Sequence, residues 1–355
     1  MSGGVDSSVA AFLLQQQGFS CIGATMKLFE SDEIGVNGES TCCSLSDVED
    51  ARSVAYRLDM PYFVFNFKAD FRCHVMDPFV QAYETGFTPN PCLECNRYLK
   101  FQKMFQRANE LDIAYLATGH YAQIEYHADT GRYWLKKAAD LSKDQSYVLY
   151  MLNQKQLARI QFPLGGYTKA QVREIAEENG FVNARKHDSQ DICFVPDGDY
   201  TGFLERYTGK TYPSGNFVDL QGNVLGQHRG IVRYTIGQRK GLGLALPQPH
   251  YVCAKHMAQN EVVLGLNEDL FTRELDAFDI NLIPYEQLNE PIRVKAKVRY
   301  RHTEQWATVT QTDTDRLHIV FDEPQRAITP GQAVVLYDGD YVIGGGTICA
   351  NQEEL

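Results

Sequence analysis

A chain of 355 residues is longer than one ordinary domain and predicts two or three. Its composition, 44% hydrophobic and 22% charged, is that of a globular protein with material for sizeable cores, and no apolar run is long enough to span a bilayer. A formal charge of -11 argues against nucleic acid unless local clusters overrule it; nothing at the N-terminus resembles a signal peptide, and nine cysteines fit the cytoplasm, where thiols stay reduced for catalysis or metal binding.

The chain opens on Met1-Ser2-Gly3-Gly4-Val5-Asp6-Ser7-Ser8, a glycine-serine loop running into a helix expected over 9–17. Adjacent glycines let successive N–H groups aim at one point, and a helix start adds a positive dipole end, so the segment predicts an anion cradle. Neither G-x-x-x-x-G-K-[ST] nor G-x-G-x-x-G is present. The plainer alternative is a turn capping the helix through Asp6 or Ser7. Such a loop is expected to follow a strand, yet the sequence begins inside the motif. A start placed too late is preferred over a sheet that lacks this strand.

Downstream, a strand is expected over 21–28, then a loop with Gly35 and Gly38, and a helix over 46–58 whose Ser46-Asp47-Val48-Glu49 has a capping-box pattern. Residues 62–67 read as a strand, 71–85 as a helix, 96–111 as another helix after the Pro89-Asn90-Pro91 turn, and 113–118 as a buried strand ending in Gly119-His120. This alternation predicts a parallel sheet flanked by helices, with ligands at the carboxyl ends of its strands, where Met26 and Gly119 stand. Glycine-rich short strands follow from about Tyr207. From about Leu275, runs at 292–300, 307–311, 317–321, 333–337 and 341–348 predict a small antiparallel barrel. The expected division is 1–206, a small central domain over 207–274, and 275–355.

Cys92 and Cys95 form Cys-x-x-Cys at a helix start, which predicts depressed thiol pKa values, and Cys193 follows the polar segment Asp188-Ser189-Gln190-Asp191. A thiolate pair with a distant partner suggests redox, persulfide or metal chemistry. A four-cysteine zinc site lacks its second half, whereas Cys92, Cys95 and Cys193 could hold a [4Fe-4S] cluster with one open iron. Cys42-Cys43 read as structural, and Cys21, Cys73, Cys253 and Cys349 as buried. Arg293, Lys295, Lys297, Arg299 and Arg301 alternate with apolar residues, so a strand would point five cations to one face, a phosphate-binding stripe. Arg229, Arg233, Arg239 and Lys240 form a second basic group among glycines.

The loop Ser2–Ser8 resembles the pyrophosphate-binding loop of adenine nucleotide alpha-hydrolases, in which Ser2, Gly3, Gly4, Val5, Asp6, Ser7 and Ser8 would hold ATP and Asp6 would help bind Mg2+. Five further motifs follow in order: Thr88-Pro-Asn-Pro-Cys-Leu-Glu-Cys-Asn96, Thr118-Gly-His-Tyr-Ala122, Lys143-Asp-Gln-Ser-Tyr147, Asp188-Ser-Gln-Asp-Ile-Cys193 and Tyr234-Thr-Ile-Gly-Gln-Arg-Lys-Gly-Leu-Gly243. Together they make the chain similar to the tRNA-specific 2-thiouridylase family along nearly its whole length.

The resemblance implies ATP-dependent adenylation of C2–O of a wobble uridine in tRNA, for lysine, glutamate and glutamine acceptors, then displacement by sulfur. It implies a persulfide on Cys193, supplied by a cysteine desulfurase or sulfur-relay protein, and Cys95 as partner nucleophile forming a disulfide with Cys193. It places Met26 and Gly119 with the nucleotide, and Asn90, Pro91, Cys92, His120, Lys143, Asp144, Gln145, Arg299, Tyr300 and Gln332 with tRNA. The commonest family pattern has aspartate where Cys92 stands, so persulfide relay and a three-cysteine [4Fe-4S] cluster both stay open. Rival readings are an amide-forming or nitrogen-transfer ligase, which needs no such cysteines, and a non-catalytic RNA-binding or sulfur-carrier protein.

Overall fold

The computed structural model describes residues 1–30, 34, 45–186 and 192–350. Its helices are α1 (Val5–Gln16), α2 (Leu45–Arg57), α3 (Lys68–Phe71), α4 (Asp77–Glu84), α5 (Pro91–Glu94), α6 (Met104–Glu110), α7 (Gln154–Leu157), α8 (Lys169–Glu178) and α9 (Tyr200–Thr208). Two stretches are π-helical, Arg72–Met76 between α3 and α4 and Cys95–Lys103 between α5 and α6. The fold forms two units: Met1–Met76, Pro91–Phe203 and Asp340–Val342, and Asp77–Asn90, Leu204–Gly339 and Ile343–Leu355.

In the first unit, β1 (Gly23–Lys27) and β2 (Tyr62–Asn66) pair in parallel, and so do β3 (Leu116–Ala117) and β6 (Ile160–Gln161). The hairpin of β4 (Gln123–His127) and β5 (Arg132–Lys136) is antiparallel and pairs with Tyr341 and Val342. Parallel pairing needs crossovers, and α2 supplies the one between β1 and β2. Val5, Val9, Ala10 and Leu13 on one face of α1 pack with Val172 and Ala176 of α8, Tyr121, Leu164 and Phe181 in one buried cluster. That packing fixes where α1 starts, hence where the loop points.

In the second unit, β7 (Gly215–Val218), β8 (Val224–His228), β9 (Tyr251–His256) and β10 (Glu261–Gly265) form a sheet of order β8-β7-β10-β9, with β7 and β10 parallel. β11 (Phe271–Leu282), β12 (Ile292–Lys297), β13 (Gln305–Asp313), β14 (Arg316–Arg326), β15 (Ala333–Asp338) and β16 (Tyr341–Ile348) follow in the order β11-β14-β13-β12-β15-β16. β11 also pairs with β16, from Ala277↔Ile348 to Leu282↔Gly344, and this closes an antiparallel barrel. Alternate strand residues, Val294 and Ala296, Ala307 and Val309, Leu317, Ile319 and Phe321, fill its interior.

The fold class read from the sequence is therefore found: an α/β unit with parallel pairing, a small central sheet and a closed C-terminal barrel. Element ends differ. α1 begins at Val5, four residues before the expected start, because Gly4 in extended conformation (φ -88°, ψ 158°) already serves as its cap. β12 stops at Lys297, so Arg299 and Arg301 lie beyond the strand and it carries Arg293, Lys295 and Lys297 alone. Gly35, Gly38, Cys42, Cys43 and Asp188–Asp191 of the sequence reading lie outside the described residues.

Candidate nucleotide and sulfur-transfer site

The site begins with a helix start left open. Gly4, the N-cap of α1, has no side chain to take the first-turn N–H groups, the condition under which a helix start can serve an anion. The hydroxyls do not compete for those groups. Ser7 and Ser8 donate to the Gly4 carbonyl at 3.1 and 3.2 Å, and Ser7 Oγ accepts from Ser2 N–H at 3.1 Å. Asn183, 2% exposed, braces the loop from behind by donating to Gly3 O at 3.0 Å and Ser8 Oγ at 2.9 Å. Gly3 has φ +71° and its backbone lies against Asp47 of α2. Asp47 and Asp50 in turn receive Lys186 Nζ at 2.6 and 2.7 Å.

Gly119, just past the carboxyl end of β3, packs on the same helix start: a Cβ there would sit 2.8 Å from Ser7 N and from Asp6 C. A side chain at 119 would displace the loop, so glycine is required by close approach. Asp6 is not an open carboxylate. Lys169 Nζ donates to both of its oxygens at 2.8 Å, and Tyr121 Oη donates to Oδ1 at 2.8 Å. Met26 is the penultimate residue of β1.

The residues around Thr118–Ala122 are held by the Lys143-Asp144-Gln145 segment. Gln145 Oε1 accepts from Tyr121 N–H at 3.0 Å and its own N–H donates to Tyr121 O at 2.9 Å. Asp144 accepts from Ala138 N–H at 3.0 Å and Ser146 Oγ at 2.7 Å, and Lys143 is half-buried. His120 is buried between Phe101 and Phe162, with Nδ1 2.8 Å from Thr118 Oγ1. Burial, then the Lys100 charge, holds its imidazole well below the usual histidine range, so it stays neutral.

Cys95 opens the π-helical stretch, and Asn96 ties it to the Ser146–Leu149 turn by donating to Val148 O at 2.9 Å. Such wide turns recur at functional sites, where they re-aim one side chain. The depressed thiol pKa expected for Cys95 is overturned: it is 9% exposed, and burial pushes its thiol up to about 11 despite Lys100. Cys92 on α5 is exposed and Pro91 buried. Cys193 is half-buried, and the next residue, Phe194, anchors it edge-on against Phe71 at 5.6 Å.

The [4Fe-4S] expectation fits poorly. Among the described residues no three His, Cys, Asp or Glu side chains are grouped to hold a metal. For Mg2+ the need is smaller, since one carboxylate such as Asp6 and the nucleotide phosphates suffice.

In the second unit Gln332 donates to Thr88 O at 2.7 Å, holding the turn that leads to Asn90. Arg299 donates to the carbonyls of Ala327 and Ile236 at 2.8 and 3.2 Å, an internal role. Tyr300 is exposed with Lys297 over its ring, and Arg293 and Lys295 lie over the exposed ring of Trp306. Arg293 also pairs with Asp322.

The chain matches three family descriptions: "tRNA methyl transferase HUP domain" over residues 1–197, "tRNA methyl transferase PRC-barrel domain" over 201–266 and "Aminomethyltransferase beta-barrel domain" over 272–348. It is 51% identical over 348 residues, 98% of this chain and 96% of the other, to tRNA-specific 2-thiouridylase MnmA of Clostridioides difficile strain 630. The chain belongs to the tRNA-specific 2-thiouridylase family. The MnmA proteins of Lachnoclostridium phytofermentans and Acetivibrio thermocellus are 50% and 52% identical over 349 residues, 98% of this chain and 98% and 97% of theirs.

Sequence reasoning missed Lys169, Asn183 and the role of Tyr121. Thr168 and Gln171 form a reciprocal capping box, a pattern legible in sequence that marks Lys169 as the first residue of α8. Nothing in the sequence says that its side chain reaches Asp6, 163 residues away.

A buried neutral thiol has a measurable consequence. Alkylation of Cys95 by iodoacetamide, followed by peptide mass spectrometry, is expected to be slow at pH 7–8 and to rise toward pH 11, while exposed Cys92 on the same peptide reacts first. Because the folded pKa lies above the unfolded one, this group's contribution to stability is intact below pH ~8.5 and is lost as pH rises through 11.

Proposed function

We propose that this chain, as a sulfurtransferase acting on tRNA uridine, uses ATP to adenylate the C2 oxygen of the wobble uridine and then replaces that oxygen with sulfur. The observation that carries the reading is the start of α1, capped by Gly4 without a side chain, with Gly119 packed on it and the hydroxyls of Ser7 and Ser8 bonded to the Gly4 carbonyl instead of the N–H groups. Those amides would hold the β- and γ-phosphates of ATP, with Met26 and Gly119 beside the nucleoside. Mg2+, arriving with ATP and taking Asp6 as a ligand, would supply further neutralisation of phosphate charge.

In the first step uridine O2 attacks the α-phosphorus. The O–P bond to pyrophosphate breaks with its electron pair, and the N3 proton goes to solvent. In the second, the terminal sulfur of a Cys193 persulfide attacks C2 and AMP leaves. The thiolate of Cys95 then attacks Cys193 Sγ, giving 2-thiouridine and a Cys95–Cys193 disulfide that an external thiol reductant reopens. Burial raises the Cys95 thiol to about 11, so its proton is lost as it attacks, and the released 2-thiouridine regains one at N3.

Asn90, Pro91, Cys92, His120, Lys143, Asp144, Gln145, Arg299, Tyr300 and Gln332 are proposed to contact tRNA, and Lys295 and Lys297 of β12 to neutralise phosphates. The tRNA acceptors are those for lysine, glutamate and glutamine, and a cysteine desulfurase or sulfur-relay protein supplies sulfur in the cytoplasm. No described helix is long and apolar enough to cross a membrane. Domain boundaries are proposed at 206/207 and 274/275. The test is nucleoside mass spectrometry of a wobble-uridine tRNA incubated anaerobically with the chain, ATP, Mg2+ and a sulfur source. The expected product is 2-thiouridine with one AMP per thiolation; its absence with sulfur, ATP and tRNA all supplied would refute the reading.

A further inference from the structure

A nucleotide loop that works by neutralising phosphate needs a cation, and Ser2–Ser8 contains none while it does contain a carboxylate, Asp6. An unpaired carboxylate in the first turn of α1 would repel the same anion that the amides attract. The charge that offsets it comes from a distant part of the chain. Lys169 begins α8, whose Thr168–Gln171 capping box fixes its first turn, and α8 packs against α1 through Val172 and Ala176 on Val5, Val9 and Leu13. Its ammonium reaches both Asp6 oxygens at 2.8 Å. The Lys169 side chain is only 11% exposed, so it has been taken out of water to stand beside the cradle. A buried ion pair is a poor stabilising device compared with an apolar pair of similar size, so stability alone gives little reason for a lysine here.

We propose that Lys169 is the phosphate-binding cation of this site: on nucleotide binding its ammonium contacts the β- and γ-phosphate oxygens and neutralises charge on the departing pyrophosphate. The inference rests on the ATP reading above. No proton is transferred by Lys169. The bond that breaks is the α-phosphate to pyrophosphate link, and its electron pair leaves with pyrophosphate. In the nucleotide-free state Asp6 holds the lysine in place, and Tyr121, donating to Asp6 Oδ1 at 2.8 Å, fixes the carboxylate that does so.

The experiment is calorimetric titration of the full chain with AMP and, separately, with magnesium pyrophosphate. It compares wild type with Lys169→Arg, Lys169→Gln, Asp6→Asn and the double variant Asp6→Asn/Lys169→Gln. A group that touches pyrophosphate makes K169Q bind magnesium pyrophosphate about 10- to 100-fold more weakly with AMP affinity unchanged, the loss of a charged hydrogen-bond partner. K169R should recover most of the affinity, and the double variant should bind pyrophosphate more weakly than D6N alone. The double variant removes both charges of the Asp6–Lys169 pair together, so neither is left without the other, and it keeps the comparison valid if K169Q folds poorly. Equal losses for AMP and pyrophosphate, or no further loss when Lys169→Gln is added to D6N, would overturn the proposal and leave Lys169 as a strut for Asp6. A wild-type chain that binds neither ligand would instead overturn the ATP reading, and this inference with it.

Discussion

A Cys193→Ser chain is expected to bind ATP and tRNA like wild type, to release pyrophosphate within a few-fold of the wild-type rate, and to make 2-thiouridine at least ~10³-fold more slowly. The serine keeps the shape of a half-buried side chain next to Phe194, whose ring stays packed on Phe71 and on Phe203 at 5.1 Å, so the fold has little reason to change. What serine cannot do is carry a second sulfur. Cys95→Ser should fail at a different point: with nothing to attack Cys193 Sγ, the tRNA remains joined through a disulfane bridge to Cys193. A denaturing gel would then show a one-to-one protein–tRNA adduct that a small thiol releases as thiolated tRNA. Cys92→Ala, on an exposed position of a short helix, should keep activity within a few-fold. Loss of activity in Cys92→Ala equal to that in the other two would reinstate a three-thiolate cluster, and full turnover by Cys95→Ser would remove it from the reaction.

The parts of this molecule that were legible in the sequence are those governed by local rules. Alternation of apolar residues announced β12 and its neighbours, and the glycine-serine loop announced the helix after it, though with a start four residues later than the one found. Where a non-local force overrides a local one, the reading failed. Helix-start geometry alone predicts a depressed Cys95 pKa, but packing buries the thiol and desolvation wins, raising it to about 11. The π-helical stretch that begins at Cys95 has no pattern in composition, because it comes from fitting the segment against its neighbours. Arg299 belongs by spacing to a cationic stripe, yet β12 ends at Lys297 and the guanidinium finds the carbonyls of Ile236 and Ala327. Lys169 and Asn183 are invisible for the same reason: they act on the first eight residues from 163 and 180 positions away along the chain.

The two adjacent glycines of the loop, which a sequence treats alike, should give very different variants. At Gly4, φ is -88° and an added methyl would meet only Ser2 Oγ at 3.5 Å, an ordinary contact, so Gly4→Ala should change ATP affinity less than about threefold. At Gly3, φ is +71° and the methyl would lie 2.4 Å from the Asp47 carbonyl oxygen and 2.7 Å from its Cα. Left-handed backbone costs an alanine about 1–3 kcal/mol before any clash is counted. One side must then yield. Asp47 is held by Lys186, and Tyr62 Oη donates to Val48 O at 3.3 Å, whereas the loop is held by Asn183 and by hydroxyls that can turn. The loop is therefore the part that moves. Strain relieved by leaving the binding-competent shape reappears as a population penalty on ATP, and about 2–3 kcal/mol corresponds to roughly 30- to 150-fold weaker binding. Titration with ATP and a thermal melt on each variant decide the matter. Weak ATP binding at a nearly unchanged melting temperature for Gly3→Ala, beside an almost unaffected Gly4→Ala, is the expected pair; equal behaviour of the two would mean that the close approach to Asp47 does not shape the cradle.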